Sequence, residues 1–192
     1  MLTQKKKRIC LIMAVILTLA SFRFNGPYRG RVVELETGKP VEGSVVAATW
    51  SHSSILVDKI CTAKETLTDK DGNFVLPRVW CFVCFFSPLD VIDSPEVVIF
   101  KPGYLGYPPI DTKYGRSELM PDYTGEEFRD SKQFYVIKLG KPKTREERQL
   151  TLDHADSPIR DSTLRKLPQL INFINKERNY FKLGEVYKKE KR

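Results

Sequence analysis

The run Thr37–Gly43, TGKPVEG, leads into the apolar Ser44–Trp50, SVVAATW; further on stand Thr66–Pro77, TLTDKDGNFVLP, and Val97–Tyr104, VVIFKPGY. Each joins a turn signal to a β-branched or alternating segment, and together they decide the fold class. Just upstream, Gly30–Leu35 (GRVVEL) is β-branched and sits between a glycine and the TGKP turn, so it reads as a short strand. Pro40 has a fixed φ and no N–H, which places it at the edge of the turn before a second strand over Val41–Trp50. Gly43 interrupts that strand and predicts a bulge or a close backbone contact. The small Ser44, Ala47 and Ala48 would let another layer approach. In TDKDGNF, Asp69 and Asp71 can bond nearby backbone amides, and Gly72 can adopt φ > 0. Phe74 and Leu76 then fall on one face and Val75 on the other, which reads as a hairpin.

Three patches, taken in order and at this spacing, resemble one known family: GRVVELETGKPVEGSVV (Gly30–Val46), TDKDGNFVLP (Thr68–Pro77) and FKPGY (Phe100–Tyr104). The likeness is to the carboxypeptidase regulatory-like domain family and extends over roughly Tyr28–Leu139. The resemblance implies a mainly β chain folded as an antiparallel, transthyretin-like Greek-key β-sandwich of about seven strands. It also implies that Gly38, Pro40, Gly43, Asp69, Asp71, Gly72, Pro102 and Gly103 shape turns rather than perform chemistry. The module would bind or scaffold; the zinc-peptidase domain for which the family is named has no counterpart here. Transthyretin-like folds include a hydrolase of the urate pathway, but its C-terminal YRGS signature is missing, since the chain ends YKKEKR and its one YRG, Tyr28–Gly30, precedes Arg31.

Calcium is the sharper alternative for the aspartate-rich turn. Asp69, Asp71 and Asn73 fit the first, third and fifth positions of an EF-hand loop, yet Gly72 comes two places early and Trp80 occupies the twelfth. The register fails, so a structural turn is expected and no metal. His52 and His154 are too few for a transition-metal site. No cofactor and no catalytic residue is expected, because neither a G-x-S-x-G elbow nor a nucleophile–histidine pattern is present.

Before the β region, Lys5, Lys6, Lys7 and Arg8 precede the apolar run Ile9–Ala20. That pattern reads as a signal peptide over residues 1–21, cut after Ala20 or Ser21, and is short for a membrane span. Export to the periplasm or cell exterior follows, with membrane association as a further option. The leader holds half of the formal charge of +8. Beyond it, 28–140 reads as the β-sandwich and 141–192 as a helical, basic appendage.

Export implies an oxidising compartment. Val79–Phe86 (VWCFVCFF) reads as a strand buried on both faces. Cys81 and Cys84 would then lie about 10 Å apart on opposite faces, too far for a disulfide with each other. Cys61 bonded to one of them is the preferred pairing; no bridge, or redox or intermolecular pairing, stays open.

Glu96–Phe100 and Phe134–Leu139 supply further strands. Between them the loop rich in Pro, Gly and Tyr carries Tyr107, Tyr114 and Tyr123, which with Tyr104 form either a sugar- or peptide-stacking surface or a set of rings that pin the loop. Arg145–Leu152 is a short helix. Leu164, Leu167, Ile171, Ile174 and Phe181 recur at helical spacing, predicting an amphipathic helix over Leu167–Lys182 that Gly184 can stop. The leading expectation is an exported, non-catalytic module of the cell envelope whose partner is a protein, peptide or glycan; nucleic acid is not expected. The alternative is polyanion or anionic-lipid binding through the lysine-rich C-terminus, with peripheral membrane contact.

Overall fold

A computed structural model describes residues 22–53, 59–82, 91–108, 128–156, 163 and 165–185, with seven further positions between 4 and 13. The chain is mainly β. Its strands are β1 (Phe22–Asn25), β2 (Tyr28–Glu34), β3 (Val45–Ser53), β4 (Lys59–Leu67), β5 (Asn73–Leu76), β6 (Val79–Phe82), β7 (Val91–Ile92), β8 (Glu96–Phe100) and β9 (Phe134–Leu139). The helices α1 (Arg145–Asp156) and α2 (Pro168–Tyr180) follow.

One sheet is ordered β5-β2-β9. In the other, β3 is central, with β4 on one side and β7 and β8 on the other. Alternation sorts the first sheet cleanly. Tyr28 and Val32 of β2, Phe74 and Leu76 of β5, and Tyr135, Ile137 and Leu139 of β9 point inward, where they meet Val46, Ala48 and Trp50 of β3 and Val97 and Ile99 of β8. The two sheets thus share one interior. Gly30 lies on that inner face because nothing larger fits: a Cβ there would stand 2.4 Å from the Tyr135 carbonyl oxygen.

The opposite face of the second sheet is also covered. Val45, Ala47, Ala63, Val98 and Phe100 pack against Leu152, Leu167, Leu170, Ile174 and Phe181 from the helical region. Ala47 admits the helices and Ala48 admits the other sheet, the closeness that their small size predicts. Of the predicted helical stripe, Leu167, Ile174 and Phe181 are buried; Leu170 takes the deep position and Ile171 only flanks it. Leu164 lies outside the described residues.

Several expectations need correction. The TDKDGNF turn is no hairpin: β4 pairs with β3, whereas β5 pairs with β2, so the turn carries the chain from one sheet to the other. The β2–β9 pair is parallel, so the expected all-antiparallel arrangement does not hold. The long connection after β8 makes this parallel return feasible. Gly43 is a turn residue with φ +67° before β3, and the register shift in β3 falls instead at Trp50/Ser51. Helix α2 is stopped by Lys182, not Gly184. Lys182 takes φ +61°, its N–H donates to the Asn179 carbonyl at 3.1 Å, and the Leu183 N–H donates to Arg178 at 2.9 Å. These are the two bonds of a Schellman cap.

Strand β6 is not buried on both faces either. Val79 and Cys81 point inward, but Trp80 between them is 68% exposed. The physical reason is its place: β6 pairs with β1 in a two-stranded ribbon that has one covered face. That ribbon continues the β2–β5 pairing in the same register, since Tyr28 faces Leu76 and Asn25 faces Val79. The ladder breaks only where Gly26–Pro27 passes Pro77–Arg78, and proline has no N–H to donate.

Two glycines separate strain from clash. Gly38 (φ +67°) has open space around a would-be Cβ, whereas at Gly72 (φ +77°) that atom would lie 2.4 Å from the Val32 carbonyl oxygen. Gly38→Ala is expected to cost about 1 kcal/mol from the left-handed backbone alone. Gly72→Ala should cost clearly more, because β2 itself must shift. Urea unfolding of the two variants checks the order; equal losses would contradict it.

Candidate functional site

The predicted tyrosine surface divides. Tyr107 is 6% exposed and meets Phe128 edge-on at 6.4 Å, so it is a core ring and not a stacking platform. Its backbone explains this, for it exchanges both hydrogen bonds with Ile99, each at 2.9 Å, and is drawn onto the β8 edge. Tyr104 is half-buried, with the ammonium groups of Lys101 and Lys141 5.5 and 5.6 Å from its ring centroid. Those lysines are themselves engaged, Lys101 with the Glu42 carbonyl and Lys141 with the Glu34 carboxylate. Tyr114 and Tyr123 lie outside the described residues.

Cys61 of β4 and Cys81 of β6 form a disulfide with their Cα atoms 5.8 Å apart. It ties the ribbon to the second sheet, and Cys81 is buried in the shared interior. Cys84 lies outside the described residues. The turn residues also take defined positions. The Asp69 carboxylate accepts from the Asp71 and Asn73 amides at 2.9 and 2.8 Å, and the bond from Asn73 is the main cause of its lowered pKa. Gly38 donates to Glu34 at 2.8 Å, Pro40 bridges Val33, and Pro102 and Gly103 (φ +84°) form the turn closed by the Tyr104 N–H on the Lys101 carbonyl.

Several polar side chains hold elements together. Glu65 of β4 caps α2 across more than a hundred residues of chain, its two oxygens accepting from the Gln169 and Leu170 amides at 2.8 and 3.0 Å. Leu167 at the N-cap position has no side chain able to do this, so the cap is tertiary. Glu177 of α2, 2% exposed, receives both Arg148 Nε and, at 3.0 Å, Arg148 Nη2 of α1. The same guanidinium lies 3.7 Å from the Tyr180 ring centroid. Asn25 Oδ1 accepts from the buried Trp50 indole at 2.9 Å and from the Tyr28 hydroxyl at 2.7 Å. None of these partners is signalled by sequence spacing.

One part of the surface facing water is apolar and cationic. On the outer face of the first sheet, Arg29 stands between Val75 and Phe134, and Arg31 stands beside Val136. Val75, Phe134 and Val136 are each about half exposed, and the outward positions of β5, β2 and β9 carry no carboxylate. Val79 and Cys81 join the same interior as Phe74 and Leu76, so the ribbon turns its other side the same way as the sheet. That side presents Phe24 and Trp80, 67% and 68% exposed, stacked with ring centroids 6.4 Å apart. Sequence reasoning placed Trp80 in a buried strand and read Phe24 not at all. Among the described residues no group of three or more His, Cys, Asp or Glu stands together as a metal site.

Comparison with protein-family models, with curated proteins and with solved structures finds no match to this chain.

Two measurements test the polar assignments. Glu177→Ala should cost about 3 kcal/mol in urea unfolding, since it strands a half-buried guanidinium, and Glu65→Ala about 1 kcal/mol. A smaller loss for Glu177 than for Glu65 would overturn the ranking. The second concerns Glu34, whose carboxyl is held below its ordinary 4.5, first by the hydrogen bond from Lys141 and then by that from Thr37. Its stabilisation is full above 4.5 and is lost as pH falls through the lowered folded value. Wild type should therefore lose stability more steeply than Glu34→Gln on acidification below 4.5; parallel curves would refute this.

Proposed function

We propose that this chain is an exported, non-catalytic module of the cell envelope that binds or scaffolds a partner. Its fold is read as a carboxypeptidase regulatory-like domain, a Greek-key sandwich of transthyretin type whose second sheet is backed by helices. The observation that carries the reading is the Cys61–Cys81 disulfide inside the shared interior. Structural disulfides persist in oxidising compartments and are rare in the cytosol, and the basic-then-apolar pattern of Lys5–Ala20 supplies a route there. The binding role is supported by how the polar groups are used. Glu65, Glu177 and Glu34 each serve a cap or an ion pair, while Phe24, Trp80, Phe134, Arg29 and Arg78 face outward. Such a surface suits recognition by stacking and charge rather than bond-making.

The full chain, expressed in a bacterial host and fractionated with thiols blocked at lysis, should appear in the envelope fraction with Cys61 and Cys81 protected from alkylation until reductant is added. Recovery from the cytosol with both thiols alkylated would sink the reading.

A further inference from the structure

We infer that the face carrying Phe24 and Trp80 seats this protein on an anionic membrane surface. The inference deepens the envelope-module reading and rests on it. Phe24 and Trp80 are the most exposed aromatic rings among the described residues, and they stack on each other. Phenylalanine and tryptophan side by side, with arginines around them, have the composition that settles at the headgroup level of a bilayer.

Charge selects the lipid. Arg29 and Arg31 stand among Val75, Phe134 and Val136 with no carboxylate at the outward strand positions, and Arg78 is exposed at the break between ribbon and sheet. The Arg31 Nε donates to the Asp71 carbonyl at 2.7 Å, which holds that guanidinium against the sheet without neutralising it. An apolar face ringed by fixed cations complements phosphate headgroups above acyl chains.

Chain continuity selects a membrane over an acidic protein partner. The run Ile9–Ala20 is followed by Ser21 alone before β1 begins at Phe22. Phe24 is four peptide steps from Ala20, at most about 14 Å of extended chain. Helical Ile9, Leu11, Ile12 and Met13 are each more than half exposed. While the leader is still joined, before the cut after Ala20 or Ser21, its apolar run engages lipid and delivers the ribbon within reach of the headgroups. No described helix is long and apolar enough to cross a membrane, and the inference requires none.

Tryptophan chemistry provides the test. The chain has two tryptophans, Trp50 wholly buried and Trp80 exposed, so the difference between wild type and Trp80→Phe isolates the emission of Trp80. The full chain is mixed with vesicles of equal parts phosphatidylglycerol and phosphatidylcholine bearing brominated acyl chains, and bound chain is verified by sedimentation. Trp80 emission should be quenched by the bromolipid and shielded from acrylamide. The quenching should weaken as salt is raised towards about 1 M, where screening shortens to about 3 Å, and should fall to roughly half or less in the double variant Arg29→Glu, Arg31→Glu. Trp80 left unquenched and open to acrylamide on vesicle-bound chain would mean that only the leader touches lipid, which overturns the inference. Equal quenching in pure phosphatidylcholine overturns it too, and the salt series decides this on wild type whatever the folding of the double variant. Shielding of Trp80 by raised protein concentration without lipid would assign the face to a second copy. Localisation and disulfide state are read in cells and this face on vesicles, so the two readings fail separately.

Discussion

Over Val45–Trp50 strand β3 is covered on both faces, and the rest of the molecule follows from that constraint. Val46, Ala48 and Trp50 need a sheet opposite them, while Val45 and Ala47 need a second layer on the other side. Burying side chains of this kind is worth about 1.5–3 kcal/mol each for the larger ones, so neither layer is optional. The first sheet meets one demand and the helices meet the other. The C-terminal region is therefore structural cover for the second sheet, joined to it by packing and by the Glu65 cap.

Polar groups inside this arrangement follow the same logic. Trp50 fills the interior, but its indole N–H must be satisfied there, and Asn25 of the ribbon supplies the oxygen. Because Asn25 also accepts from Tyr28, one side chain couples β1, β2 and β3. The Glu177–Arg148 pair does for the two helices what Asn25 does for the strands. With the interior and its seams closed in this way, Phe24, Trp80, Val75, Phe134 and Val136 stand exposed on the outside of the ribbon and of the first sheet.

Turn chemistry and alternation were legible in the residues themselves. Phe74, Val75 and Leu76 alternate as their order predicts, and so do Phe134 to Leu139. Glycine at 72 and 103 marks positive φ, as the turn grammar requires. What misled was context. The aspartate-rich turn looks like a hairpin because local residues specify a reversal and not which strand receives the next segment. Trp80 looked buried because an apolar run does not reveal that its strand sits in a two-stranded ribbon with one covered side. Tyr107 looked available because a tyrosine in a Pro- and Gly-rich loop gives no sign that its backbone is paired to β8.

By itself the sequence determined a mainly β chain, the position of most strands, the turns between them and an amphipathic helix near the end, because these depend on neighbours two to four residues away. Only the tertiary structure decided which strands pair, that β9 runs parallel to β2, that Cys61 meets Cys81, and that Phe24 and Trp80 share an uncovered face. Those outcomes join residues tens of positions apart, where loop closure and mutual burial, not local preference, set the energy.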